Sequence, residues 1–340
     1  MIKPPVIAIT AGDPGGVGPE IILKTLKRHK RSSKIAYLVI GTDCAFKLLK
    51  QKTNLSLPFK KITRGEIARL KPGSLAFWDV SAEALSYLPQ STKRFLSVKP
   101  GKLDRANAAM ALAAIECAAS AAVAKEVQAI VTAPLNKTSI RMILPDFTGH
   151  TEYLAERAGV KKFAMMFVSP KLKVTLATIH VALKNVSQKI TQAGLIEKMV
   201  LTDAFLRQRM GIKRPRLGIA ALNPHGRETG TEEDRILVPA VKAARRKGIH
   251  AIGPVSADRL FFDAYHGVYD GLISMYHDQA LAPFKMIAFY DGVNTTLGLP
   301  FIRTSPDHGT AFDVAYQGKA DASSMRASLA LAESLILKSA

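Results

Sequence analysis

Short apolar runs of strand length recur along the chain, and longer stretches with charged residues at helical spacing separate them. This alternation is typical of an α/β fold. The strand-like runs are VIAIT, IAYLVIG, AIVTA, AMMFVS, VTLATIH, LGIAAL, GLISMY and GVNTTLGL. Helices are predicted at 19–28, after the N-cap residue Asp104, and at 187–210, 232–247 and 322–337. Because no low-complexity tract or Pro-, Gly- and Ser-rich linker divides residues 1–340, we expect one unit of two interlaced α/β lobes that share a sheet.

The most apolar stretch is AAMALAAIECAASAAVA, which runs from Ala108 to Ala124. It is rich in alanine and interrupted by Glu116, so it predicts a buried helix rather than a membrane span. The N-terminal residues MIKPPVIAITAG lack the long apolar core of an export signal, and the two cysteines, Cys44 and Cys117, are too few for a disulfide framework. We therefore expect a cytoplasmic protein with no membrane partner.

The formal net charge is +21, from 48 lysines and arginines against 27 acidic residues. Such an excess raises the question of a nucleic-acid partner, because basic side chains neutralise phosphates. The basic residues are scattered in ones and twos, however, without interleaved aromatic residues or a known binding module. We therefore expect no nucleic-acid partner and instead a small phosphorylated anion as ligand.

Three segments, TAGDPGGVGPEI, TAPLNKTSI and FTGHTEYLAERAG, stand out by their glycines, threonines and polar residues. The first has neither the spacing of a dinucleotide-binding G-x-G-x-x-G motif nor the lysine of a P-loop, so it predicts a tight structural turn before a helix that Pro19 opens. In the third, Thr148 or Gly149 precedes a helix that begins near His150 and Thr151. The free N–H groups of its first turn would hold an anion, or the threonine would only cap the helix.

Three histidines stand at the ends of predicted strands: His180, His225 and His277. In open α/β sheets, ligands gather at the carboxyl ends of the strands, so these imidazoles could converge on one ion. Three neutral imidazoles suit Zn²⁺ and similar transition metals, and they leave coordination positions for substrate oxygens. Asp278 stands next to one of them, and hydrogen-bonded structural histidines are the alternative interpretation.

Polar and charged side chains crowd residues 275–321, although the apolar runs of this segment otherwise predict core. Lys285, near the end of the helix predicted after His277, could exchange protons at neutral pH if it is desolvated beside a metal. Arg303 offers a planar fork for a carboxylate or phosphate, and Asn294 could orient a ligand without changing its charge.

The last of these polar segments is DHGTAFDVAYQGKAD, residues 307–321. It places His308 and Gly309 just before another predicted helix. A nucleotide phosphate or adenosine could bind there without the usual glycine fingerprint.

These motifs resemble those of the 4-hydroxythreonine-4-phosphate dehydrogenase family, often called PdxA. The resemblance covers nearly the whole chain and is carried by GDPGGVGPEI, TAPLNK, FTGHTE, LNPH, MYHDQ, GVNTTLGLPFIRTSPDHGTA and GKAD. It implies a two-lobed α/β/α fold like that of isocitrate and isopropylmalate dehydrogenases, with the active site in the cleft, and a homodimer. It also implies NAD, or NADP in its place, and one divalent metal ion per site, Zn, Mg or Co.

The resemblance assigns a role to each matching residue. The metal ligands would be His180, His225 and His277, the last reaching across the dimer interface. The substrate-binding residues would be His150, Thr151, Lys285, Asn294 and Arg303. The cofactor-binding residues would be Asn294, Asp307, His308 and Gly309. The catalytic residues would be Lys285, for proton transfer, with Asp278 and Asp258 as acidic residues near the metal.

The implied reaction oxidises the C3 hydroxyl of 4-phosphooxy-L-threonine with NAD and then releases CO₂ to give 3-amino-2-oxopropyl phosphate, in pyridoxal 5'-phosphate biosynthesis. The chain departs from the family after His225, where it reads HGRETGTEE instead of HAGE with a longer Gly-rich loop. A shortened loop beside the metal bears on substrate choice. The alternative is therefore a paralogous dehydrogenase of erythronate or threonate 4-phosphate. A non-catalytic binding protein is disfavoured, because every catalytic residue type is retained.

Overall fold

A computed structural model describes residues 3–89, 96–226 and 228–339. The chain divides into two compact units: unit 1 is Met1–Gly159 with Leu299–Ile336, and unit 2 is Val160–Gly298 with Leu337–Ala340. The strands within the described ranges are β1 (Val6–Thr10), β2 (Ala36–Gly41), β3 (Lys60–Ile62), β4 (Leu75–Asp79), β5 (Ala129–Thr132), β6 (Ala164–Val168), β7 (Lys173–Leu176), β8 (Arg216–Ala220), β9 (His250–Val255), β10 (Gly271–Ser274), β11 (Val293–Leu297) and β12 (Ile302–Pro306).

The α-helices in the same ranges alternate with these strands. They are α1 (Gly18–Arg28), α2 (Asp43–Thr53), α3 (Ser81–Ser86), α4 (Arg105–Val123), α5 (Lys137–Arg141), α6 (His150–Arg157), α7 (Val186–Lys189), α8 (Gln192–Gln208), α9 (Val238–Arg246), α10 (Ala257–Tyr265), α11 (His277–Ala288) and α12 (Ser323–Ser339). Short 3-10 helices occupy Arg64–Arg69, Leu183–Asn185 and Phe312–Val314, and a π-helical turn occupies Glu233–Leu237. The predicted α/β class is confirmed.

Unit 1 contains parallel strands in the order β3-β4-β2-β1-β5-β12. β1, β2 and β5 are buried at every position, as expected for parallel strands that helices cover on both faces. α4 packs on these strands and begins after Asp104, whose carboxylate accepts hydrogen bonds from the N–H groups of Ala106 and Asn107. α4 is long and apolar enough to span a membrane, but most of it is buried inside unit 1, so the prediction of a buried helix is confirmed.

Unit 2 contains strands in the order β11-β6-β7-β10-β8-β9. β7, β10, β8 and β9 are parallel, whereas β6 runs antiparallel to both β7 and β11. Side chains alternate along β8: Leu217 and Ile219 face α8 and α9, and Ala220 faces α10 and α11. Helices therefore cover both faces of this sheet.

Three predicted elements have different bounds in the structure. The helix predicted at 187–210 is broken into α7 and α8, because Thr191 is in an extended conformation and its hydroxyl accepts a hydrogen bond from the N–H of Gly194 as the N-cap of α8. The helix predicted at 232–247 begins as a π turn, where Pro239 has no N–H to donate to the carbonyl of Arg235. The strand predicted to end at His180 ends at Leu176.

Candidate active site

β12 carries Arg303 into the interior of unit 1, where its side chain is 3% exposed. The register with β5 aligns Arg303 with Ile130, so Thr132, two residues further along β5, lies on the same face. Arg303 Nη2 donates to Thr132 Oγ1 at 2.9 Å, and Nη1 donates to Thr151 Oγ1 at 3.4 Å. Burial lowers the pKa of Arg303 to about 10, against an opposing effect of Glu152, so the guanidinium is still charged at neutral pH.

His150 begins α6, with Gly149 as the N-cap, as the sequence predicts. Its Nε2 is buried and has no hydrogen-bond partner among the residues that the structure describes. Burial, followed by the charges of Arg303 and Lys137, lowers the pKa of His150 well below its ordinary value, so the ring is neutral.

Four side chains thus meet at the carboxyl end of β5, beside the second residue of β12 and the start of α6. We term them the anion site: Thr132, His150, Thr151 and Arg303. A charged guanidinium, two hydroxyls, an imidazole nitrogen that no described protein group uses and the first N–H groups of a helix form a set that suits a phosphate or carboxylate. The structure therefore brings together the unit 1 residues predicted to bind substrate.

Lys137 is a neighbour of the anion site that the sequence did not single out. Lys137 lies beside Gly149, the N-cap of α6. A Cβ on Gly149, whose φ is 151°, would lie 3.3 Å from Lys137 Nζ and 3.0 Å from Glu152 Oε2. The side-chain oxygen of Asn136 accepts a hydrogen bond from the N–H of Ser139 at 3.1 Å, which caps α5 and starts that helix at Lys137. The TAPLNK motif was visible in the sequence, but only the fold shows that its lysine lies beside α6.

The Gly-rich segment after β1 is a tight structural turn, as predicted. A Cβ on Gly16 would lie 2.5 Å from the carbonyl oxygen of Thr310, and the N–H of Val17 donates to that same oxygen at 2.9 Å. Asp13 is fully buried in this turn, where its carboxylate accepts a hydrogen bond from the N–H of Gly15 at 2.9 Å. Burial raises the pKa of Asp13 to about 6, although the hydrogen bond from the N–H of Gly15 lowers it.

The predicted cofactor residues of unit 1 lie directly after β12. The N–H of Asp307 donates to Ser324 Oγ at 3.1 Å, and His308 is exposed, with its Nδ1 2.9 Å from the carbonyl oxygen of Gly309. A Cβ on Gly309 would meet no atom within 4 Å, so the fold of unit 1 does not itself require glycine there.

The prediction of a helix starting directly after Gly309 is wrong. Only the 3-10 turn Phe312–Val314 follows, because Ala311 and Tyr316 have left-handed φ angles of 42° and 59° that interrupt a helix on either side. The Tyr316 hydroxyl donates to the carbonyl oxygen of Pro14 at 2.7 Å, which ties this segment to the turn after β1.

The three predicted metal ligands all belong to unit 2. They follow β7, β10 and β8, which are adjacent and parallel. His180, His277 and His225 therefore all come after the carboxyl ends of neighbouring strands, on the same side of the sheet. The rings of His180 and His277 lie 6.1 Å apart, and His277 Nδ1 is 2.8 Å from Asp278 Oδ1. Nowhere in the described ranges do three His, Cys, Asp or Glu residues gather closely enough to hold a metal. The donor types and the strand order suit a metal, but three-ligand coordination stays a prediction.

The remaining predicted residues of unit 2 differ in their surroundings. Lys285 lies near the end of α11, as predicted, half-buried and with Nζ 5.4 Å from the ring centroid of Phe289. Asn294 lies on β11, and its side-chain oxygen is buried with no hydrogen-bond partner among the described residues. Asp258, in the first turn of α10, and Asp278 are both exposed.

The short loop after His225 is fixed to the end of β8 by a buried acid. Glu233, which is 1% exposed, accepts hydrogen bonds from the N–H groups of Leu222 and Asn223 at 2.9 and 2.8 Å. His225 itself has a left-handed φ of 53°. Arg227, which belongs to the shortened loop, lies outside the described residues.

Known proteins resemble this chain over almost its full length. The family model described as "Pyridoxal phosphate biosynthetic protein PdxA" matches residues 34–332. D-threonate 4-phosphate dehydrogenase of Salmonella typhimurium is 40% identical over 333 residues, 97% of this chain and 98% of that protein. 4-Hydroxythreonine-4-phosphate dehydrogenase of Desulforapulum autotrophicum is 40% identical over 331 residues, 96% of this chain and 94% of that protein. The crystal structure of the Klebsiella pneumoniae 4-hydroxythreonine-4-phosphate dehydrogenase gives a TM-score of 0.83 at 36% identity, covering 98% of this chain and 99% of that one.

Proposed function

This chain belongs to the PdxA family of dehydrogenases, and we propose from that membership that it oxidises 4-phosphooxy-L-threonine at C3 with NAD and then releases CO₂ to form 3-amino-2-oxopropyl phosphate, for pyridoxal 5'-phosphate biosynthesis. The observation that supports this proposal most is the anion site, whose buried guanidinium would otherwise be an expensive charge inside unit 1. A substrate with a phosphoryl group would complete that site.

The anion site would hold the phosphate end of the substrate. Arg303 would donate charge-assisted hydrogen bonds to the phosphate, and the hydroxyl of Thr151 would donate another. The N–H groups in the first turn of α6 would also donate, and His150 Nε2 would contact a phosphate oxygen. Fixing the phosphate would orient C3 for reaction.

Unit 2 residues would carry the chemistry at C3. Lys285 would accept the proton of the C3 hydroxyl as hydride leaves for NAD, and it would later return a proton to C2 after CO₂ is lost. Asn294, whose buried oxygen lacks a protein partner among the described residues, would orient the substrate or the cofactor. A divalent cation held by the three histidines, with Asp258 and Asp278 nearby, would stabilise negative charge on substrate oxygen. Asp307, His308 and Gly309 would contact the dinucleotide.

A second substrate is favoured by a specific observation. The Salmonella typhimurium relative, named D-threonate 4-phosphate dehydrogenase, is as similar to this chain as the relatives named after 4-hydroxythreonine. Sugar acids of this kind, threonate or erythronate 4-phosphate, have a hydroxyl where the amino acid has its 2-amino group. They could use the same anion site.

Turnover on the three substrates decides between these functions. The measurement is kcat/KM for 4-phosphooxy-L-threonine, D-threonate 4-phosphate and D-erythronate 4-phosphate, with NAD and then NADP, and with Zn²⁺, Mg²⁺ or Co²⁺ added. We expect the amino acid to be the best substrate. Tenfold or greater preference for either sugar acid would replace our first choice with the second.

We also propose a homodimer, with His277 supplied to the metal of the partner subunit. Large apolar side chains are exposed on α10, on α11 and directly after α11: Phe262, Met286 at 90%, Phe289 and Tyr290. Such side chains suit an interface. A mixing experiment tests the crossing. If His277 acts across the interface, inactive His180→Ala and His277→Ala variants should regain activity when they are unfolded and refolded together, because each mixed dimer has one intact site. No recovery would mean that His277 serves its own subunit, where its ring lies near that of His180.

A further inference from the structure

We propose that unit 1 has a second ligand site, distinct from the anion site, which binds an aromatic phosphomonoester. The site is a cavity of about 430 Å³ beside α2 and the edge strand β3, within the usual size range of small-molecule pockets. Its lining includes three phenylalanines, Phe46, Phe59 and Phe77, and three lysines, Lys47, Lys50 and Lys61. We term it the phenylalanine pocket. None of its lining residues belongs to the proposed catalytic machinery.

The apolar floor of the pocket is built from aromatic rings. Phe46 and Phe77 pack edge to face with ring centroids 5.3 Å apart, and Phe59 lies 6.0 Å from Phe46 and 5.7 Å from Phe77. Phe46 and Phe77 are core residues, whereas Phe59 is only half-buried, in the segment before β3. A planar ligand ring could continue this cluster, because offset and edge-to-face pairs stabilise aromatic contacts beyond the area that they bury.

The rim of the pocket is basic. β3 and β4 pair Lys61 with Phe77, so the ammonium stem and the phenyl ring lie on the same face of the sheet. The Nζ atoms of Lys47 and Lys61 lie 2.8 and 3.0 Å from the two carboxylate oxygens of Asp43. Lys50 forms no ion pair with any residue in the described ranges. Three lysines and one aspartate, Asp43, therefore line the pocket.

Asp43 does not cancel this positive charge. Partial burial acts to raise the pKa of Asp43, but the hydrogen bonds from Lys47 and Lys61 outweigh burial and lower it. The carboxylate is thus ionised and can bridge only two of the ammonium groups. The surplus charge favours a ligand that carries a dianion at one end.

The floor and the rim together select the ligand class. A bare anion would leave the phenyl rings exposed, and a neutral ring would not use the lysines. A single-ring phosphate and a purine nucleoside monophosphate both have the required ring and dianion, and the cavity has room for either. The ligand is therefore defined by its aromatic ring and phosphomonoester, and the experiment separates the two sources.

Calorimetric titration of the full chain with phenyl phosphate and with adenosine 5'-monophosphate tests the proposal. Inorganic phosphate is titrated separately, as the measure of binding by phosphate alone. Lys50→Met removes the lysine that has no acidic partner among the residues that the structure describes, and Phe59→Leu removes a half-buried ring while keeping an apolar side chain of similar reach. Lys52→Met is the matched control, because Lys52 is exposed on the same helix but does not line the cavity.

We expect Kd for the better ligand to rise about three- to tenfold in Lys50→Met and in Phe59→Leu, as for loss of one aromatic or charged contact, and to stay unchanged in Lys52→Met. Tighter binding of phenyl phosphate identifies a single-ring ligand, and tighter binding of the nucleotide identifies a purine ligand; either supports the proposal. Unchanged Kd in both pocket variants, or no binding of either ligand above inorganic phosphate, would overturn it. Circular dichroism confirms that each variant is folded.

Discussion

Replacing Arg303 by Met should leave the folded protein as stable as before, or slightly more stable, while it weakens substrate binding. The pKa of Arg303 is about 10 in the folded protein, well below its ordinary value, because the guanidinium is buried. At about 1.4 kcal/mol per pKa unit, keeping the buried guanidinium charged costs roughly 3 kcal/mol of folding free energy. This cost is present at all pH values below about 10 and disappears only as the pH rises above the folded pKa.

Two contacts offset part of that cost. The hydrogen bond to Thr132, from a charged donor at 2.9 Å, contributes about 1.5 kcal/mol, and the longer one to Thr151, at 3.4 Å, contributes about 1 kcal/mol. Met has a similar stem length and fills most of the volume, so the net change in the free energy of unfolding should lie between zero and about +1 kcal/mol. Urea-induced unfolding at pH 7 measures this change directly.

The loss of binding should be much larger than the change in stability. A hydrogen bond to a charged group contributes about 1.5–3 kcal/mol, so KM for the phosphorylated substrate, and Kd for inorganic phosphate, should rise roughly 10- to 150-fold. Arg303→Lys is the control that keeps the charge but loses the planar fork. Its KM and Kd should lie between those of the wild type and those of Arg303→Met. If Arg303→Met lost more than about 2 kcal/mol of stability yet bound phosphate normally, the guanidinium would be a structural residue and the anion site would be misassigned.

Four further predictions concern the other residues of the two units. Changing His180, His225 or His277 to Ala should remove the metal without unfolding the chain. Metal analysis with circular dichroism checks this. A variant that is inactive but keeps full metal occupancy would show that its histidine is not a metal ligand. Lys285→Met should lower saturated turnover by roughly two to four orders of magnitude, whereas a rise in KM alone would indicate that Lys285 only attracts the substrate. Lys137→Met should raise KM about two- to fivefold without changing kcat, and Lys161→Met, an exposed lysine of unit 2, should change neither. Asp13→Asn should make the free energy of unfolding less dependent on pH between pH 4 and 6. The folded pKa of Asp13, about 6, lies above the ordinary 3.8, so the wild type loses up to roughly 3 kcal/mol of stability as the pH rises through that window. The same pH dependence in the variant and the wild type would show that Asp13 does not titrate there.

The sequence predicted β1, β2 and β5 but did not predict β3 or β12. β1, β2 and β5 are continuous apolar runs, so they could be recognised without tertiary information. β3 is only KKI, and β12 contains an arginine, a threonine and a serine; both become strands because neighbouring parallel strands supply their hydrogen-bond partners. Local propensity does not reveal such pairing.

The residues of the anion site and its surroundings were likewise only partly predictable from the sequence. The start of α6 at His150 followed from local helix signals, and Arg303 was marked by its charge in an apolar setting. The roles of Lys137 and Asp13 depend on close approaches between segments far apart in sequence, at Gly149 and at the carbonyl of Pro134. No periodicity encodes those approaches, so both residues were found only in the folded chain.

The discontinuity of unit 1 has a consequence for how the protein is made. Residues up to 159 emerge from the ribosome first, but β12, which completes their sheet beside β5, belongs to the segment after unit 2. At about 5–20 residues per second, roughly 7–30 s of translation separate the two parts. During that interval the buried sequence AIVT of β5 is an unpaired sheet edge, open to other chains, and Arg303 does not yet exist. The nascent polypeptide therefore depends on rapid synthesis of residues 160–306, or on a chaperone, to avoid aggregation.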